Sequence, residues 1–193
     1  MSLRLSGSGT RRGGRRPDLA YPASPAWFVH AEAGHTWRAA WRPLVAVQFD
    51  VASGEDRGTT LTRFDPLFGM RRGDLAPAGL YNAVARTNLI ECGPKLEWSP
   101  GKCTDAFIAY KALWLQSPTD SFSASGVRDV SGRAGDFAGS QVDARVRHWL
   151  MPGRLRLELD LVGLIKGRFL RDASNVSSRR DTLYGSLNLT AAF

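Results

Sequence analysis

The sequence predicts an all-β chain, an antiparallel up-and-down transmembrane β-barrel, here a partial barrel of about seven strands. Three observations lead there. Apolar and polar side chains alternate with period two along several long segments. Short and long connections between those segments also alternate. One flank of the segments gathers nearly all of their charge. Composition agrees: 43% of the 193 residues are hydrophobic and 23% charged, which suits a folded chain and excludes wholesale disorder. No apolar run approaches the roughly 20 residues of a membrane helix, so any crossing must be made by strands.

Residues 1–26 are rich in Gly, Ser, Arg and Pro and carry Arg4, Arg11, Arg12, Arg15 and Arg16 against Asp18. They are expected to be a disordered basic leader. They lack the apolar run of a secretory signal, so an export signal is expected on sequence outside this chain. Residues 27–193 are expected to be the C-terminal part of an outer-membrane β-barrel.

The clearest strand is Arg154–Phe169, where Arg154, Arg156, Glu158 and Asp160 alternate with Leu155, Leu157, Leu159 and Leu161. A helix would spread those leucines around its circumference; a strand keeps them on one face. Gln141–Leu150 repeats the pattern, with Asp143, Arg145 and Arg147 between Val142, Ala144 and Val146. So does Thr182–Phe193, with Leu183, Leu187 and Leu189 on one side. Weaker alternation marks Trp27–Trp37, Leu44–Ala52, Leu89–Ser99 and Asp105–Gln116.

Tight turns are expected at Ala39–Pro43, Ser99–Lys102 and Met151–Gly153, each with proline or glycine in a turn-forming role. The other connections, Ser53–Thr87, Ser117–Ser140 and Leu170–Arg180, are long. Strict alternation gathers the short turns at one rim and the long loops at the other, the asymmetry of outer-membrane barrels. Trp27, Trp37, Trp41, Trp98, Trp149 and Phe193 fall near strand ends, where an interfacial girdle is expected.

The charged flank holds Lys95, Lys111, Arg145, Arg147, Arg154, Arg156, Lys166 and Arg168 with Glu91, Glu97, Asp143, Glu158 and Asp160. Guanidinium groups stay charged and grip carboxylates in a bidentate fork, so an arginine-rich passage favours anions. Arg145, Arg147, Arg154 and Arg156 are expected close to the short-turn rim. A ladder of cross-strand pairs with Asp143, Glu158 and Asp160 is the other reading of the same residues. Both readings can hold together.

Enzymatic arrangements find no support. His30, His35 and His148 lack a triad context. Glu158 and Asp160 would stand about 6.6 Å apart on one face, but Arg154 and Arg156 beside them suit a salt-bridge ladder better than a hydrolytic pair. No glycine-rich phosphate loop or zinc-ligand spacing occurs, and no cofactor is expected. Cys92 and Cys103 are expected as free thiols, about 20 Å or more apart along their hairpin.

The run Arg63–Phe64–Asp65–Pro66–Leu67–Phe68–Gly69–Met70–Arg71–Arg72, followed by Gly79–Leu80–Tyr81, resembles the central signature of alginate export proteins. Gly126–Val127–Arg128–Asp129 and Leu164–Ile165–Lys166–Gly167–Arg168–Phe169 resemble the same family, over about Trp27 to Phe193. The resemblance implies a Gram-negative outer-membrane barrel of eighteen strands that exports the polyuronate alginate through an arginine-rich passage. It also implies that the long loop folds inward, with Arg71 and Arg72 meeting uronate carboxylates. Phe193, preceded by Ala191 and Leu189 at alternate positions, resembles the signal by which the barrel assembly machinery recognises such proteins. Seven strands are odd and too few for that barrel, so a part of a larger one is expected.

The candidate substrate-binding residues are Arg71, Arg72, Lys111, Arg145, Arg147, Arg154, Arg156, Lys166 and Arg168. Expected partners are the outer-membrane lipid bilayer, an anionic polysaccharide and the barrel assembly machinery, with no nucleic acid. The alternatives are a porin-like channel for small anions and a soluble basic β-sheet protein that binds a polyanion.

Overall fold

A computed structural model of the chain describes residues 2–10, 26–55, 62–65 and 84–192. Eight strands form one sheet in sequence order, each antiparallel to the next. They are β1 (Ser2–Thr10), β2 (Ala26–Thr36), β3 (Leu44–Ala52), β4 (Leu89–Gly101), β5 (Thr104–Trp114), β6 (Phe137–Met151), β7 (Leu155–Lys166) and β8 (Thr182–Ala191). The ladders run from β1 to β8 without joining those two strands to each other among the described residues, so the sheet is open, as a partial barrel is.

The strand β1 corrects the expectation of a disordered leader over 1–26. Ser2–Thr10 pairs with β2 along its whole length, with Leu3 opposite Ala33, Leu5 opposite Ala31 and Arg4 opposite Glu32. Its apolar alternation is only Leu3–Arg4–Leu5 before a Gly/Ser stretch of low strand propensity, too short to register as period two. Its place in the sheet is given by the backbone ladder to β2. Residues 11–25 of the expected leader lie outside the described residues.

The rims separate as expected. The turn between β2 and β3 is closed by Trp37 N–H donating to the Pro43 carbonyl at 3.0 Å, with Trp41 and Arg42 at φ 69° and 44°. Two residues, Lys102 and Cys103, link the end of β4 to β5, because pairing continues to Gly101–Thr104 past an irregularity after Trp98. Gly153 takes φ 75° between β6 and β7. Long connections join β1 to β2, β3 to β4, β5 to β6 and β7 to β8, all at the opposite rim.

The expected strand Arg154–Phe169 is shorter at both ends. Arg154 belongs to the turn, its N–H bonded to the Met151 carbonyl at 2.9 Å. At the other end β7 stops at Lys166, and Arg168–Asp172 forms a short helix, α1. Gly167 makes the change of direction possible: a Cβ there would lie 2.6 Å from both the Phe137 ring and the Phe137 carbonyl. The turn carries Phe169 and Leu170 into burial, which outweighs two more residues of strand pairing.

Burial is inverted relative to a sheet in water. On β3, Ala46, Gln48 and Asp50 are buried while Val45, Val47 and Phe49 are exposed. On β7, Glu158 and Asp160 are buried and Leu159 and Leu161 exposed; on β6, Gln141 and Asp143 are buried and Val142 and Val146 exposed. Leu187 of β8 is 69% exposed, whereas Asp143 is 0% exposed. The buried face is called the inner face below.

The apolar core is confined to the long-loop end of that inner face. Leu89, Leu113, Ala138 and Leu164 from four neighbouring strands meet Val84, Leu115, Phe122, Ala134, Phe169, Leu170 and Ala173 from the loops and α1. Removing each of the two phenylalanines from water contributes about 1.5–3 kcal/mol. The described parts of the connections after β3, β5 and β7 are thus packed structure seated on the sheet.

Candidate functional site

The inner face is layered along the strand direction. Nearest the long loops, His30 of β2 shares a hydrogen bond of 2.9 Å between its Nδ1 and Asp50 Oδ2 of β3. Asp50 Oδ1 accepts 2.7 Å from Nε of Arg86, which arrives from the connection before β4. The Arg86 guanidinium also stands 5.3 Å from the Phe28 ring centroid, and Phe28 packs against Phe64 of the long loop at 4.8 Å. One loop is thereby tied to the wall by charge and by aromatic contact.

Beside this group, with Glu91 directly opposite Asp50 on the neighbouring strand, is a buried ionic clamp. Lys111 of β5 places Nζ 3.0 Å from Asp143 Oδ2 on β6 and 3.4 Å from Glu91 Oε1 on β4. Gln141 donates to Asp143 Oδ1 at 2.9 Å. Lys111 is 3% exposed and both carboxylates less, so all three ions have left water. Desolvation at that depth is repaid only by close pairing.

Toward the short turns the face opens and becomes arginine-rich. Gln48 and Lys95 converge on Glu32, and Lys95 also pairs with Glu97. Arg145 lies 4.8 Å over the Phe107 ring. Arg147 grips Asp105 Oδ1 with Nε and Nη2, both at 2.7 Å. Arg156 stands 5.5 Å over Trp149 and 3.7 Å from Glu158. Among the described residues, Nε of Arg145 and Nε of Arg156 are buried without a hydrogen-bond partner. Ser186 and Asn188 of β8 donate to Asp160 Oδ2 at 3.2 Å.

Residues 3–183 match the family model described as alginate export, beginning within β1. The chain belongs to the alginate export family. That family is a transport class of outer-membrane exporter type and not an enzyme class. No curated protein matches the chain.

In this alginate export chain the expected binding residues divide into separate groups. Arg145, Arg147 and Arg156 come together on the inner face near the short-turn rim, with Arg154 exposed in the adjoining turn. Lys111 is enclosed by its carboxylates and belongs to the wall. Lys166 and Arg168 lie at the opposite rim: Lys166 Nζ donates to the Ser178 carbonyl at 2.6 Å, and Arg168 Nη2 to the Arg133 carbonyl at 3.1 Å. Arg168 is an exposed helical residue, where the sequence pattern had set it on the charged flank of a strand. Arg71, Arg72 and Phe193 lie outside the described residues, while Leu189 and Ala191 are on the exposed face of β8.

Several residues of the site show no periodic signal, although Arg63 opens the run that resembles the family signature. Arg86 and Arg63 act across loops, and nothing periodic marks them. Arg63 donates to Thr87 Oγ1 at 2.8 Å and Asp120 Oδ1 at 2.9 Å, and also to Ser121 and Ser123. Asp120 in turn accepts the Glu55 N–H at 2.9 Å, so two long loops are fastened together. Asn88 adds bonds to both Ser117 and Ser121, and Gly54 approaches its amide so closely that a Cβ would stand 2.2 Å from Oδ1. Trp149, expected in the girdle, instead shares the inner face with Arg145 and Arg147.

Two outcomes follow from these contacts. Lys111→Met takes the cation away from two buried carboxylates, which must then stay ionised out of water or take up protons, and is expected to cost about 3–5 kcal/mol. Urea unfolding of the assembled barrel in lipid measures it, and a loss below about 1 kcal/mol would mean that the clamp is not closed. In the connection between β5 and β6, Asp129 accepts from Ser131 Oγ at 2.6 Å, Ala134 N–H at 2.8 Å and Ser131 N–H at 3.0 Å. These bonds, that from the Ser131 hydroxyl foremost, hold its carboxyl below the ordinary aspartate value of 3.8. Its contribution is therefore complete above that value and is lost as pH falls through the lowered one. Amide exchange at Ser131 and Ala134 should accelerate over that acid range, and Asp129→Asn should abolish the acid step.

Proposed function

We propose that this chain forms a section of an outer-membrane channel wall that passes an anionic polysaccharide, an alginate-like polyuronate, along its arginine-bearing inner face. The observation that carries the reading is the inverted sheet: ions and amides on the buried face, a continuous field of Val, Leu, Ile and Phe on the exposed one. Water on the apolar side would be costly; lipid is its natural solvent. Membership of the alginate export family supports the polysaccharide as cargo.

Short turns are the periplasmic side of such barrels. Arg145, Arg147, Arg154 and Arg156 then stand at the mouth where an exported polymer arrives, and their excess charge draws carboxylates in. Arg71 and Arg72, in the connection before β4, are further contacts for uronate carboxylates. Strand edges with unpaired N–H and C=O groups do not persist in lipid, so β1 and β8 are completed by further strands in the working channel. Leu189, Ala191 and Phe193 supply the assembly signal.

A channel for small anions would use the same arginines, and conductance separates the two. Arg145→Gln, Arg147→Gln and Arg156→Gln combined in the assembled channel should shift the reversal potential in a salt gradient toward lower anion preference. Oligouronate should block the unaltered channel at lower concentration than acetate does. An unmoved reversal potential, or equal block by both anions, would contradict the reading.

A further inference from the structure

We infer that Trp149 and Arg156 form a sugar-stacking site at the short-turn mouth, which selects a hexuronate ring over a simple carboxylate. The inference rests on the channel reading above and names the feature that would make the channel specific for a polymer.

Trp149 and Arg156 are direct partners across the β6–β7 ladder, one pair before the irregularity at Met151. The indole lies on the inner face with the arginines, where a girdle tryptophan would face lipid. It is half-buried and so keeps part of its surface accessible. The Arg156 guanidinium stands 5.5 Å from the ring centroid, its side chain keeps 26% of its surface exposed, and Glu158 is 3.7 Å from its Nη2, beyond hydrogen-bond length. Arg147, two positions before Trp149, is by contrast gripped by Asp105 through two bonds of 2.7 Å.

A pyranose ring turns a face of C–H bonds toward an aromatic quadrupole, whose surface is negative. A hexuronate adds a carboxylate at the ring edge. A site for it needs an aromatic face and a cation with free donor capacity side by side, and this pair supplies both. Acetate has the carboxylate and no ring face; a neutral sugar has the face and no carboxylate. Neither uses the whole site.

The test is current block of the assembled channel in planar bilayers by an oligouronate, a neutral oligosaccharide of equal length and acetate. Trp149→Ala should raise the half-blocking oligouronate concentration about tenfold and leave acetate block and reversal potential unchanged. Trp149→Phe, which keeps an aromatic face and guards against misfolding, should retain most of the block. Oligouronate block that is intact in Trp149→Ala overturns this inference and leaves the channel reading standing. Equal loss of acetate and oligouronate block in that variant also overturns it, since the ring would then be only a support for the arginines. A wild-type channel that oligouronate does not block removes the channel reading and this inference together.

Discussion

The arrangement of this chain depends on one constraint: its ionised groups occupy the face that the fold buries, and its aliphatic groups the face left open. In water that distribution would be unfavourable twice over, through desolvated charge and exposed hydrocarbon. Against lipid the second cost becomes a gain, and the first is met by pairing. Lys111 with Glu91 and Asp143, and Asp50 with His30 and Arg86, are the forms that pairing takes. Packing among apolar side chains is confined to the long-loop end, where Phe122 and Phe169 seat the connections on the sheet.

The inner face is graded from that end to the other. Beside the long loops, charges are locked in fully enclosed clusters and act as wall. Toward the short turns stand Arg145, Arg147 and Arg156, which lean on Phe107, Asp105 and Trp149 and are only partly buried. Enclosed and partly open charge are thus divided between the two ends of the same strands. Arg63, Asn88 and Arg86 fasten the described loop segments at the first end.

Much of this was legible in the residues, because a two-residue period reports directly which face each side chain takes. The strands from β2 to β8, the turn at Gly153 and the gathering of Arg145, Arg147 and Arg156 followed from it. β1 escaped because its apolar positions end at Leu5 and the rest of its pairing is made by glycine and serine backbone. The helix after Gly167 escaped because alternation continues in sequence through Arg168 and Phe169 although the backbone turns. Arg63 and Arg86 pair across loops, where sequence distance says nothing of contact. Trp149 was readable: its position keeps step with Arg145 and Arg147, and nearness to a strand end outweighed that count.

The most direct test of the central claim is the environment of alternate positions on β8 in lipid vesicles, probed by nitroxide labels at positions 186 to 189 and their relaxation by dissolved oxygen and by a water-soluble nickel chelate. Labels replacing Leu187 and Leu189 should respond to oxygen, which concentrates in hydrocarbon, and those replacing Ser186 and Asn188 to nickel. Strong nickel relaxation at Leu187 and Leu189, or shielding of both from either agent, would place that face in water or beneath protein and contradict the account.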